Sequence, residues 1–180
     1  MADTGSPWTG AGISLVSVAV GYLLNFMGTE WRTQRENRGH WLALRADILR
    51  CGAGARGYLG GTIPVPASRL HTSSYQSSFP ALLRAELLSQ SDVDGLTAFF
   101  DIANAFNYSM DLAQEAIDRS EPEKMNLENA HITVQVNRAK IKAEKITSGA
   151  QCYRDALTIV DGHLVNRTGH PLMFWKSTPK

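Results

Sequence analysis

The sequence predicts an all-α protein. One N-terminal transmembrane helix continues into a juxtamembrane helix, and a small cytosolic helical bundle or hairpin follows. Two observations lead there, and a third is weighed against them. Residues 4–29 form an uncharged run of 26 between Asp3 and Glu30, longer than the ~20 residues a helix needs to cross the hydrocarbon core. Apolar residues then recur at three- and four-residue steps along 41–59 and again along 93–113, which is the helical period. Two stretches read locally as strand: HITVQV at 131–136, and 157–165 with Asp161-Gly162 as a hairpin turn. A lone strand has no partner elsewhere in the chain, so both are taken as helix.

The first element is the span itself, 10–29, after a short polar external tail at 1–9. Ile13, Leu15, Val16, Val18, Val20, Leu23, Leu24 and Phe26 each favour insertion by about 0.3–0.6 kcal/mol, and glycines, serines and Asn25 oppose them. Trp8 and Trp31 bracket the run as interfacial aromatics do. No Lys or Arg precedes it, whereas Arg32, Arg35, Arg38, Arg45 and Arg50 follow within about 20 residues, the range over which basic residues set orientation. The expected placement is the cell inner membrane, single-pass, with the N-terminus outside and the C-terminus cytoplasmic. A cleaved signal peptide fits poorly, because no basic segment precedes the run and no A-x-A-like site closes it.

One stripe of the span is small or weakly polar: Gly10, Ser14, Ser17, Gly21, Asn25 and Gly28 follow one another at three- and four-residue steps. Such stripes let helix backbones approach closely in lipid, and an Asn can hydrogen-bond across the contact. The stripe is therefore the candidate face for helix–helix association. Trp31, Arg32, Arg35 and Arg38 are the candidate membrane-surface contacts.

The juxtamembrane amphipathic helix covers 30–59, with Trp41, Leu44, Ile48, Cys51, Ala55 and Leu59 on one face. Six arginines against Glu30, Glu36 and Asp47 leave this segment net positive by three. Gly52, Gly54 and Gly57 weaken it toward its end, and Gly60-Gly61 stop it. GGTIPVP at 60–66 is a linker, because Pro64 and Pro66 force their predecessors into extended conformations.

A cytosolic helical region is expected over 67–163. Two short helices come first, the second opened by Pro80, with Ser89-Gln90-Ser91-Asp92 as N-cap candidates for the next. That next helix, about 92–118, carries Val93, Leu96, Phe99, Phe100, Ala103, Phe106, Met110 and Ala113 as its core face, a packing seam against 41–59 and 81–88. Helix is expected through 123–161, with Leu127, Ala130, Val134, Ile141, Cys152, Ala156 and Val160 as its apolar stripe and Gly162 as its C-terminal stop. Arg138, Lys140, Lys142 and Lys145 read first as a solvated face, with contact to a membrane or an acidic partner as the alternative. A loosely ordered tail, 164–180, ends the chain.

Composition narrows function mainly by exclusion. With 18 Lys and Arg against 17 Asp and Glu, the net charge of +1 gives no general attraction to nucleic acid, and none is expected as a partner. Cys51 and Cys152 belong to no C-x-x-C or Cys/His cluster and read as free thiols. The five histidines make no metal-ligand spacing, and neither G-x-S-x-G nor H-E-x-x-H occurs. Helix capping accounts for the carboxylate pairs Asp92/Asp94 and Glu115/Asp118. No catalytic, cofactor-binding or metal-binding residue is nominated, and no cofactor is expected.

WLALRADI at 41–48, FPALL at 79–83 and FFDIANAFN at 99–107, behind an uncleaved span, resemble a loose group of uncharacterised small bacterial membrane-anchored proteins. The resemblance covers about residues 10–115 and implies an anchor with cytosolic helices and no assigned activity. The expected function is a non-enzymatic membrane-anchored scaffold or interaction protein. Its partners would be the lipid bilayer and either a second copy of the chain or another membrane protein. An accessory subunit of a larger membrane complex and a membrane-anchored signal relay are the alternatives.

Overall fold

The computed structural model describes residues 7–62, 69–119 and 125–166, with the side chains of 7–16, 19, 125–128 and 166 outside that description. It consists of five helices: α1 (Pro7–Leu59), α2 (Ser73–Arg84), α3 (Gln90–Asp118), α4 (Met125–Ile146) and α5 (Gln151–Asn166). No strand occurs among the described residues, so 131–136 and 157–165 are helical. The chain divides after Gly39 into two units, and α1 contributes to both.

In the first unit, residues 17–39 of α1 are exposed almost throughout. The transmembrane helix expected over 10–29 is not supported here: among the described residues no helix is long and apolar enough to cross a membrane. The side chains of residues 10–16 and 19 lie outside the described residues, and within 17–28 the apolar residues are diluted by Ser17, Gly21, Asn25 and Gly28.

The second unit is a helical bundle built on one core cluster. From α1 come Trp41, Leu44, Ile48, Cys51, Ala55 and Tyr58; from α3 come Leu96, Phe99, Phe100, Ala103, Phe106 and Met110. Smaller groups from α4 and α5 complete it: Ala139, Ala143, Ile146, Tyr153, Ala156 and Val160. The phenylalanines form the seam expected against 41–59. Phe106 meets Tyr58 edge-on at 5.0 Å, and Phe100 stacks on Tyr75 of α2 at 4.2 Å. Phe99 faces Tyr153 of α5 at 6.3 Å, so the seam also reaches a helix the sequence reading left out. Each fully buried Phe or Leu contributes roughly 1.5–3 kcal/mol. α3 packs along α4 and against α5.

Helix ends follow local chemistry. α1 closes in a Schellman arrangement, with Thr62 N–H donating to Gly57 C=O at 3.0 Å and Gly61 N–H to Tyr58 C=O at 3.2 Å. Gly61 takes the left-handed conformation this needs, φ 69°. α2 ends the same way, but Glu86 occupies the left-handed position at φ 53°. Ser89 caps α3 in a capping box with Asp92.

Four expectations are corrected. Pro80 does not open a new helix but lies inside α2, where the buried Ser78 and Leu82 hold both sides of it on one face. The long C-terminal helix is two helices, broken at Thr147-Ser148-Gly149-Ala150 by a turn in which Ala150 N–H donates to Thr147 C=O at 2.8 Å. Gly162 does not stop α5, which continues to Asn166. The buried line of α4 is Gln135, Ala139, Ala143 and Ile146, whereas Ala130, Val134 and Ile141 are exposed.

Candidate functional site

The stripe residues Ser17, Gly21, Asn25 and Gly28 are all exposed on α1, while the side chains at positions 10 and 14 lie outside the described residues. A Cβ built at Gly21 or Gly28 would meet nothing within 4 Å. Around the stripe, Val18, Val20, Tyr22, Leu23, Leu24, Phe26 and Met27 are between 48% and 71% exposed. At 100° per residue these seven cover about two thirds of the helix circumference, and the four stripe residues fill the rest. The one-sided amphipathicity of a helix lying on a bundle is therefore missing. Thr29 and Thr33 donate their hydroxyls to Phe26 C=O at 2.8 Å and Thr29 C=O at 3.0 Å, which satisfies both polar groups within the helix. Trp31, Arg32, Arg35 and Arg38 follow, all exposed.

The bundle holds its polar groups differently. Trp41 is fully buried and stacks on the His163 ring with centroids 4.2 Å apart and planes 11° apart. His163 Nε2 lies 3.1 Å from Asp92 Oδ2. That carboxylate also accepts Ser89 N–H at 3.0 Å and the Ser89 hydroxyl at 2.7 Å. Burial pushes the Asp92 carboxyl up, but the Ser89 and His163 contacts outweigh it and hold the group below the usual carboxylate range. The order is hydroxyl–carboxylate–imidazole. Nucleophilic catalysis needs the imidazole against the hydroxyl, so this arrangement caps α3 and fixes α5 rather than activating Ser89.

Asp47 is 1% exposed and accepts the N–H of Ser74 at 2.7 Å. Thr72, the cap residue of α2, makes no side-chain capping bond. A carboxylate on α1 therefore serves the positive end of the α2 dipole from a neighbouring helix. Asn107 binds both backbone groups of Leu70, accepting N–H at 2.7 Å and donating to C=O at 3.0 Å. Arg45 pairs with Asp161 at 2.7 Å.

Neither thiol is set up as a nucleophile. Cys51 is buried and donates to His71 C=O at 3.0 Å. Burial first, and the nearby Asp47 second, push its pKa up to about 12. Cys152 is also raised, again by burial first. Thiolate reactivity requires the opposite shift. Both cysteines are free. Among the described residues no cluster of His, Cys, Asp and Glu could hold a metal. The α5 surface carries a shallow open groove lined by Arg154, Leu157, Thr158, Asp161, Gly162 and Val165, and its one acid is the partner of Arg45.

Sequence reasoning missed Asp47, Gln135 and the role of Gly52. An acid at an i+3 position on a buried face gives no hydropathy signal. Gly52 was read as weakening α1, whereas a Cβ there would run into the Tyr153 ring. Compared with known protein families, curated proteins and solved structures, the chain matches none.

Proposed function

We propose that the protein is a single-pass, membrane-anchored interaction protein, held in the bilayer by the first part of α1 and presenting its helical bundle to the cytoplasm. The single observation that carries this is the collar of seven exposed, large apolar side chains between Val18 and Met27. A helix with large apolar side chains over two thirds of its circumference, and only small or uncharged residues on the rest, belongs in a protein interior or in lipid. The uncharged run of 26 residues in the sequence is long enough for the second. Trp31, Arg32, Arg35 and Arg38 supply the interfacial aromatic and the cytoplasmic positive charge.

The stripe of Gly10, Ser14, Ser17, Gly21, Asn25 and Gly28 is the face through which the anchor meets another membrane helix, a second copy in the first instance. The bundle's polar groups cap and tie helices, which suits a scaffold. The resemblance to small bacterial membrane-anchored proteins points the same way. Reporter fusions test the reading. A cytoplasm-active reporter at the C-terminus should give strong signal and a periplasm-active one none; the reverse pattern refutes it. In a transmembrane association assay Gly21→Ile should abolish the signal of the native span, and a span silent without the substitution refutes self-association.

A further inference from the structure

The outer face of α4 carries a group of side chains that neither the core nor the anchor uses. Val134 and Ile141 are 47% and 53% exposed. Arg138 and Lys145 are exposed beside them, and Lys142 is half-buried. At 100° per residue these five fall within an arc of about 100°, and residues 134–145 extend about 17 Å along the helix axis. Glu144, the one acid in 129–146, falls outside the arc. None of the three cations has an ion-pair partner among the described residues.

We infer that this face of α4 binds an anionic membrane surface. A solvated helix face ordinarily mixes both signs of charge, with acids four residues from bases. Here cations without an ion-pair partner among the described residues alternate with aliphatic side chains, the pattern by which an interfacial helix sets its bases among headgroups and its apolar groups at the acyl boundary. A second copy is a poorer occupant. A twofold contact would lay the same three cations against themselves, and like charges facing each other oppose association. Residues 134–145 contain no aromatic, so the stacking platform that single-stranded nucleic acid uses is missing from the face. The contact does not depend on the α1 span, because a peripheral face binds lipid whether or not a helix crosses it.

The test uses the full chain with an environment-sensitive fluorophore on a cysteine at one of two positions, Ile141→Cys or Leu24→Cys, in a Cys152→Ser background. Cys51 is fully buried and does not compete for label. Vesicles are phosphatidylcholine alone or with 30% phosphatidylglycerol. The expected result is a blue shift at position 141 only in the anionic vesicles, reversed by high salt as the Debye length shortens. Arg138→Gln, Lys142→Gln and Lys145→Gln together should abolish the blue shift at position 141 in the anionic vesicles and leave helicity and the position 24 signal unchanged. No shift at position 141 in anionic vesicles overturns the inference. So does a shift that is equal in both vesicle types and grows with protein density, which would identify a second copy. The label at position 24 reports the anchor separately: it should shift in both vesicle types, and its silence would refute the anchor while leaving the α4 result to stand or fall on its own.

Discussion

Replacing Asp92 by Ala removes three contacts at one carboxylate: the Ser89 N–H at 3.0 Å, the Ser89 hydroxyl at 2.7 Å and His163 Nε2 at 3.1 Å. Loss of the capping box costs about 1 kcal/mol. Loss of a negative charge in the first turn of α3 adds about 0.5 kcal/mol, because the Asp92 side chain is only 17% exposed and poorly screened. The total of about 1.5 kcal/mol corresponds to a fall of about 5 °C in Tm for a unit of this size. The effect has a definite pH signature. The folded Asp92 carboxyl titrates below its unfolded value of about 3.9, so its contribution is complete well above pH 4 and is lost as pH falls through the folded value. Thermal melts of the full chain in detergent, followed by circular dichroism at pH 7 and at several points below pH 4, measure this. The difference between native chain and variant should be about 5 °C at pH 7 and should shrink steadily in acid. Equal melting at pH 7, or a gap that persists unchanged to the lowest pH, would refute the reasoning.

Other consequences can be read from single positions. Gly52→Ala drives a Cβ into the Tyr153 ring; overpacking of about 1–3 kcal/mol outweighs the roughly 1 kcal/mol gain in helix propensity, so chemical denaturation should show a net loss, relieved by Tyr153→Ala in the same chain. The two left-handed helix ends predict opposite signs, since Gly61→Ala should destabilise by about 1 kcal/mol while Glu86→Gly should stabilise by up to about 1 kcal/mol. Cys51, with its pKa near 12, should resist thiol reagents at pH 8 in the folded chain and react at once in denaturant, whereas prompt reaction in the native chain would contradict its burial.

The helices that the sequence announced most clearly are those whose burial follows hydrophobicity. Along 41–59 and 96–113 the large apolar residues fall on the helical period and on the buried face, so Trp41, Leu44, Ile48, Phe99, Phe100 and Phe106 were legible as core. α4 obeys a different rule. Its buried positions include the small Ala139 and Ala143, while the more hydrophobic Val134 and Ile141 are exposed. A reading that ranks residues by hydrophobicity puts α4 on the wrong face. The Thr147-Ser148-Gly149 turn went unread, because the expectation of one long helix passed over a short run of turn-forming residues. Asp47 and Gly52 were out of reach, because each is defined by a partner more than 25 residues away in sequence, Ser74 and Tyr153.

Membrane anchoring through the first part of α1 is the account's central claim, and resistance to alkaline extraction tests it most directly. The full chain should remain in the membrane pellet after a carbonate wash. Leu23→Arg with Leu24→Arg should move it to the supernatant, since each Arg near a span centre costs about 2.5–3.5 kcal/mol on the insertion scale, more than the modest net gain of this span. Release of the unsubstituted chain into the supernatant as completely as the double variant would contradict the claim.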